Sequence, residues 1–145
     1  MSCFNARRTS LLARVAASSA AIVITGCAEF SSSPSCPQGK IGVTVAELYF
    51  GRDVGRTEGV SDSDWQSFLD EVITPRYPDG LTVENANGQW KDGAGIVRER
   101  SIHLTIVLKG GPDDEAKLSD IRAAYRQRFR QDSVLLLEEK ACASF

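Results

Sequence analysis

His103 is the one histidine of this 145-residue chain, and imidazole is the side chain best suited to move a proton near neutral pH. It sits in a run where Ile102, Leu104, Ile106 and Leu108 alternate with other residues, the pattern of a strand with one buried side. With Leu104 and Ile106 pointing to a core, His103 and Thr105 point away from it. The same alternation from Val43 to Phe50 turns Leu48 and Phe50 inward and leaves Glu47 and Tyr49 outward, with Arg52 just beyond. On adjacent strands Glu47, Tyr49 and His103 would share one patch, where a carboxylate favours the protonated imidazole. Together with Arg52 they form the candidate binding or catalytic set. Its two readings are an acid–base site and an ordinary cross-strand pairing on a wet sheet face.

The four cysteines carry a different chemistry. Residues 1–26 hold Arg7, Arg8 and Arg14 and no acid, and leave 14 bases against 19 acids for the rest of the chain. After those arginines comes an apolar run, Val15 to Ile24, too short to span a bilayer and of the length of a signal-peptide core. Ile24-Thr25-Gly26-Cys27 then resembles the bacterial lipobox, in which a thiol accepts a diacylglycerol and becomes the new N-terminus. Each buried methylene contributes about 0.8 kcal/mol, so two or more acyl chains make a stable membrane anchor. A plain cleaved signal peptide is the alternative, and Arg7-Arg8 also resembles a twin-arginine export signal. Export removes Cys3 and acylates Cys27, which leaves Cys36 and Cys142 as a disulfide pair in an oxidising compartment.

Several chemistries are absent from the sequence. No CxxC, zinc-protease helix or nucleophile elbow is present. Gly51, Gly55 and Gly59 are not followed by Gly-Lys-Ser/Thr, and Gly93-Ala94-Gly95 precedes a strand, so phosphate-loop and dinucleotide readings fail. No metal or cofactor is expected. A net charge of −2 gives no reason to expect nucleic acid. With 42% apolar and 25% charged residues, the composition is that of one globular domain.

The elements that position these residues can be read in order. Residues 27–41 contain Ser31-Ser32-Ser33-Pro34-Ser35 and Pro37 and read as a tether; the domain proper spans 42–145. Val43 to Phe50 is a first strand. Ser61 caps a helix with Asp64 three residues on, and Trp65, Phe68, Leu69, Val72 and Ile73 form its apolar stripe until Pro75. Leu81 to Glu84 is a second strand, with Asn87-Gly88 predicting a hairpin turn, and Ile96 to Lys109 is a third. Leu118, Ile121, Tyr125 and Phe129 face inward from a second helix, and a last strand starts near Ser133. Arg122, Arg126, Arg128 and Arg130 line that helix's polar side, a solvated face or one that meets anionic head groups. The order βαββαβ predicts an α+β, ferredoxin-like domain, two helices covering one face of a four-stranded antiparallel sheet. A rival has an extra short strand around Trp90, a residue that either caps the sheet edge or joins a binding surface.

Taken together, Glu47 to Arg52, Trp65, Phe68 and Leu69, Thr74 to Val83, Gly88-Gln89-Trp90, Arg98-Glu99 with Ser101, Asp132-Ser133-Val134 and Cys142 resemble a known family. It is the bacterial family catalogued as domain of unknown function 3574, small exported proteins that often carry a lipobox. Asp132 stands where that family more often has Glu, and Ile102-His103 replaces a more usual Ser-Lys-like start of the strand. The resemblance implies export and a single compact domain, and it supplies no catalytic residue.

The expectation is therefore a lipid-anchored envelope protein, a non-enzymatic binding or assembly domain facing the periplasm. The missing aspartate after Cys27 favours the outer membrane in a Gram-negative host. Its partners would be the membrane, through the lipid, and a second copy packed on the open sheet face, with Val43, Val45, Val107 and Leu135 in contact. The alternative is a small enzyme of the dimeric α+β barrel type, with Glu47, Tyr49, Arg52 and His103 in a cleft.

Overall fold

A computed structural model describes residues 35–54 and 57–145. Residues 1–26, expected as a signal segment, Cys27 and Gly55 lie outside the described residues. Four long strands follow the alternation in the sequence: β1 (Ile41–Gly51), β4 (Thr82–Asp92), β5 (Gly95–Leu108) and β6 (Leu135–Ala143). They form one antiparallel sheet in the order β4-β5-β1-β6. A short ladder that the sequence did not suggest, β2 (Asp53–Val54) with β3 (Thr57–Glu58), follows β1.

The helices are α1 (Asp62–Phe68), which runs on into a π-helical turn at Leu69–Ile73, and α2 (Asp114–Phe129). Ser61 and Asp64 make the reciprocal capping box that starts α1. Its apolar stripe meets Ala46, Leu48 and Phe50 of β1, Ile102, Leu104 and Ile106 of β5, and Leu118, Ile121, Tyr125 and Phe129 of α2. Fully burying one such side chain stabilises by about 1.5–3 kcal/mol. Tyr125 is fully buried and its hydroxyl is satisfied, donating to the Gly51 carbonyl at 2.8 Å. Both helices thus cover one face of the sheet, and the domain is ferredoxin-like. Among the described residues, no helix is long and apolar enough to cross a membrane.

Two disulfide sulfurs tie the start of the domain to its end: Cys36 is bonded to Cys142 across 106 residues.

Three local expectations need correcting. Asn87-Gly88 is not a turn: β4 runs through it, Gly88 pairs with Glu99, and neither residue has the positive φ that a two-residue hairpin turn requires. The reversal comes at Gly93-Ala94, with Gly95 at φ 136°. Arg52, grouped by the sequence with Glu47, Tyr49 and His103, is 3% exposed and is held elsewhere. Its Nε donates to the Val60 carbonyl at 2.9 Å and its Nη2 lies 2.7 Å from Asp62 Oδ1. A guanidinium suits that task, since one planar group holds both the loop after β1 and the first turn of α1. Val43, expected as an apolar contact on the open face, is itself buried at 5% exposure.

Candidate functional site

Because residues of odd number in β1 and β5 oppose the core, the uncovered face of the sheet can be laid out as cross-strand rows. One row reads Glu84, His103, Tyr49 and Leu135 across β4, β5, β1 and β6. Next to it lies a row of small residues, Ala86, Ser101 and Gly51. Gly88 with Glu99 and then Trp90 with Val97 follow, out along the β4–β5 arm. Rows of large side chains with small ones between them leave a trough.

The trough is a cleft of about 760 Å³. Ala86, Gly88, Ser101 and Gly51 make its floor, Tyr49 and Leu135 one wall, and Trp90 and Val97 the other. Asp53 and the segment from Arg130 to Ser133 close a further side, where Gln131 Nε2 donates to the Asp53 carbonyl at 2.8 Å. A cleft of roughly 300–1,000 Å³ with an apolar lining and a few polar groups is the usual form of a small-molecule site.

Asp53, Glu99 and Asp132 line the cleft, and Glu99 is the one whose carboxyl is shifted by burial. A Cβ at Gly51 would fall 2.9 Å from Glu99 Oε1 and 3.2 Å from Gln131 Oε1, so glycine makes room for both side chains over β1. At Gly88 a Cβ would lie 3.1 Å from Ser101 Oγ. Burial pushes the Glu99 carboxyl above its ordinary value, and the nearby Asp53 charge adds to this. The Trp90 indole N–H, a pure donor, bonds to that carboxylate and acts the other way. Arg130 caps α2 in the left-handed conformation at φ 55° and ψ 39°, a strained choice for a residue with a Cβ, and it borders the same cleft.

Among the residues singled out in the sequence, Glu47, Tyr49 and His103 are brought together and Arg52 is not. The imidazole of His103 stacks on Tyr49, with Nδ1 3.3 Å from Glu84 Oε2 and Nε2 4.0 Å from Glu47 Oε2. The Tyr49 hydroxyl donates to Glu47 at 3.4 Å; burial first, and then the Glu47 charge, raise its pKa. His103 Nε2 is buried without a hydrogen-bond partner. A general base must reach its substrate directly or through one water, and this nitrogen is closed off. Tyr49 belongs to both neighbourhoods, as the partner of His103 on one side and a wall of the cleft on the other. Among the described residues, no three His, Cys, Asp or Glu side chains are grouped to hold a metal ion.

The family model described as "Protein of unknown function (DUF3574)" matches residues 45–145. The chain belongs to this family. Many residues by which the sequence resembles it line the cleft of the DUF3574 domain: Tyr49, Gly51, Gly88, Trp90, Glu99 and Ser101 among them. No curated protein matches the sequence.

Among solved structures, the DUF3574 domain is similar to a phage SAM lyase in complex with S-methyl-5′-thioadenosine. That match has a TM-score of 0.54 and 17% identity, and covers 79% of this chain and 97% of the lyase chain. The apo lyase gives a TM-score of 0.53 at the same identity and coverage. CutA from Synechococcus elongatus matches at 0.48 and 7% identity, over 71% of this chain and 80% of that one. At such identities the likeness concerns the fold.

Glu99 was missed as a site residue, and Trp90 was left between sheet-edge cap and binding surface, because the hairpin turn was expected at Asn87-Gly88. Extending the outward alternation of β5 from His103 back through Ser101 reaches Glu99, and a turn at Gly93-Ala94 brings Trp90 to the same face.

Proposed function

We propose that the DUF3574 domain is held at the cell envelope by a lipid on Cys27 and binds a small molecule in the cleft of its open sheet face. The observation that carries the binding reading is the 760 Å³ cleft itself, walled by two aromatic side chains and lined by the half-buried carboxylates of Glu99 and Asp53. The lipobox-like Ile24-Thr25-Gly26-Cys27 supports the anchor, and the Cys36–Cys142 bridge fits a compartment where disulfides persist.

Native mass spectrometry of the protein isolated from its own cells tests the binding reading. A small molecule should accompany the wild type and be missing from Gly88→Leu, whose side chain rises from the cleft floor. Absence from both proteins would refute it. For the anchor, Cys27→Ser should abolish fatty-acid labelling, and persistent labelling would refute that part.

A second reading takes the cleft as an enzyme site, favoured by one observation: the Glu99 carboxyl, raised by burial, is tuned in the direction of a general acid. The solved lyase structure was obtained with S-methyl-5′-thioadenosine, so this fold accommodates a nucleoside-sized ligand in that protein. Turnover lost in Glu99→Gln, with binding retained, would establish it.

A further inference from the structure

The cleft combines aromatic faces with a surplus of negative charge. Asp53, Glu99 and Asp132 line it against one cation, Arg130. Trp90 remains 47% exposed although it is among the largest apolar side chains of the domain, so its ring is available to a ligand. A half-buried carboxylate gains most from a counter-charge that enters with its own apolar cover, because the pair is then removed from water together. Aromatic faces attract the same kind of ligand through their negative quadrupole.

Resting on the cleft reading above, we propose that this site takes a small organic cation. Its charged head lies against the Glu99 and Asp53 carboxylates, and its apolar body lies between Trp90 and Tyr49. A bare inorganic cation would leave the aromatic walls unused. An anion would meet three carboxylates in the same lining as the single guanidinium of Arg130.

The test titrates the full-length protein with three probes of one shape: meta-hydroxyphenyltrimethylammonium, its uncharged isostere meta-tert-butylphenol, and the anion meta-hydroxybenzenesulfonate. Calorimetry gives the affinities, and the Trp90 indole N–H resonance reports whether the probe is in the cleft. The cation should bind about tenfold more tightly than the isostere or better. Glu99→Gln should cut that preference several-fold while Asp53 keeps part of it, and an undiminished preference in this variant would overturn the charge inference. Equal binding of cation and isostere, with Trp90 shifting for both, would overturn the charge inference and leave the cleft reading standing. Preference for the sulfonate would overturn the inference in the same way. If no probe moves the Trp90 resonance, both the inference and the cleft reading fall.

Discussion

The imidazole of His103 lies on the ring of Tyr49, ring centres 4.5 Å apart and planes 8° from parallel. The contact braces a wall of the cleft, and what it asks of residue 103 is a flat ring. We therefore expect His103→Phe to keep cleft binding near wild type and His103→Ala to weaken it several-fold. Ligand titration on the two variants decides the matter. Equal losses in both would return His103 to acid–base work.

Gly51→Ala probes the space above β1. The atoms its Cβ would meet are the carboxylate end of Glu99 and the amide end of Gln131, both on flexible side chains. The fold should survive with a small loss of stability, within about 1 kcal/mol. Affinity for a cleft ligand should fall because Glu99 is displaced. Thermal melts and titration together separate the two effects.

The domain's alkaline limit follows from its tyrosines. Burial pushes Tyr77 up to about 12, raises Tyr125 still further, and raises Tyr49 to a lesser degree. A group whose pKa is raised by folding contributes stability that is complete below its unfolded value and is lost as pH climbs through the folded one. For Tyr77 that window runs from the ordinary 10.0 to about 12. Phenolate absorbance of the native protein should lag that of the denatured chain throughout this range. A tyrosine ionising at its ordinary value in the native state contradicts the burial described.

Arg52 serves the fold. Asp62 is 91% exposed, so Arg52→Met leaves that carboxylate in water. Losing the buried bond to the Val60 carbonyl costs about 1–3 kcal/mol. Chemical denaturation should show that loss, and cleft affinity should stay unchanged.

Replacing both Cys36 and Cys142 by serine should lower stability by roughly 2–5 kcal/mol, since the bridge closes a loop of 106 residues. Denaturation with and without reductant checks this: the wild type should respond to reductant and the double variant should not.

Much of the architecture was legible because the period of each element is written in its apolar residues. Leu118, Ile121, Tyr125 and Phe129 are all buried, as their helical spacing implies. Glu47, Tyr49 and His103 share a face because strands alternate. What escaped the sequence depends on tertiary contact. Asn87-Gly88 has the local chemistry of a turn, yet the pairing of β4 with β5 overrides it, and Gly88 serves the approach of Ser101 instead. Arg52 was grouped with Glu47, Tyr49 and His103 because neither Val60 nor Asp62 announces in sequence that it will fold back to receive a guanidinium. The cleft was hidden for the same reason, being a property of neighbouring rows rather than of any one strand.

The bond between Cys36 and Cys142 also has a mechanical meaning. A tug on the chain ahead of Cys36 is shared at once between the first and last strands, where Gly42 sits opposite Cys142. The two strands take the load together, because the bridge joins them at the end where their nine facing pairs begin. Under tension the body behaves like a stopper at the end of a cord and not like thread unwinding from a spool.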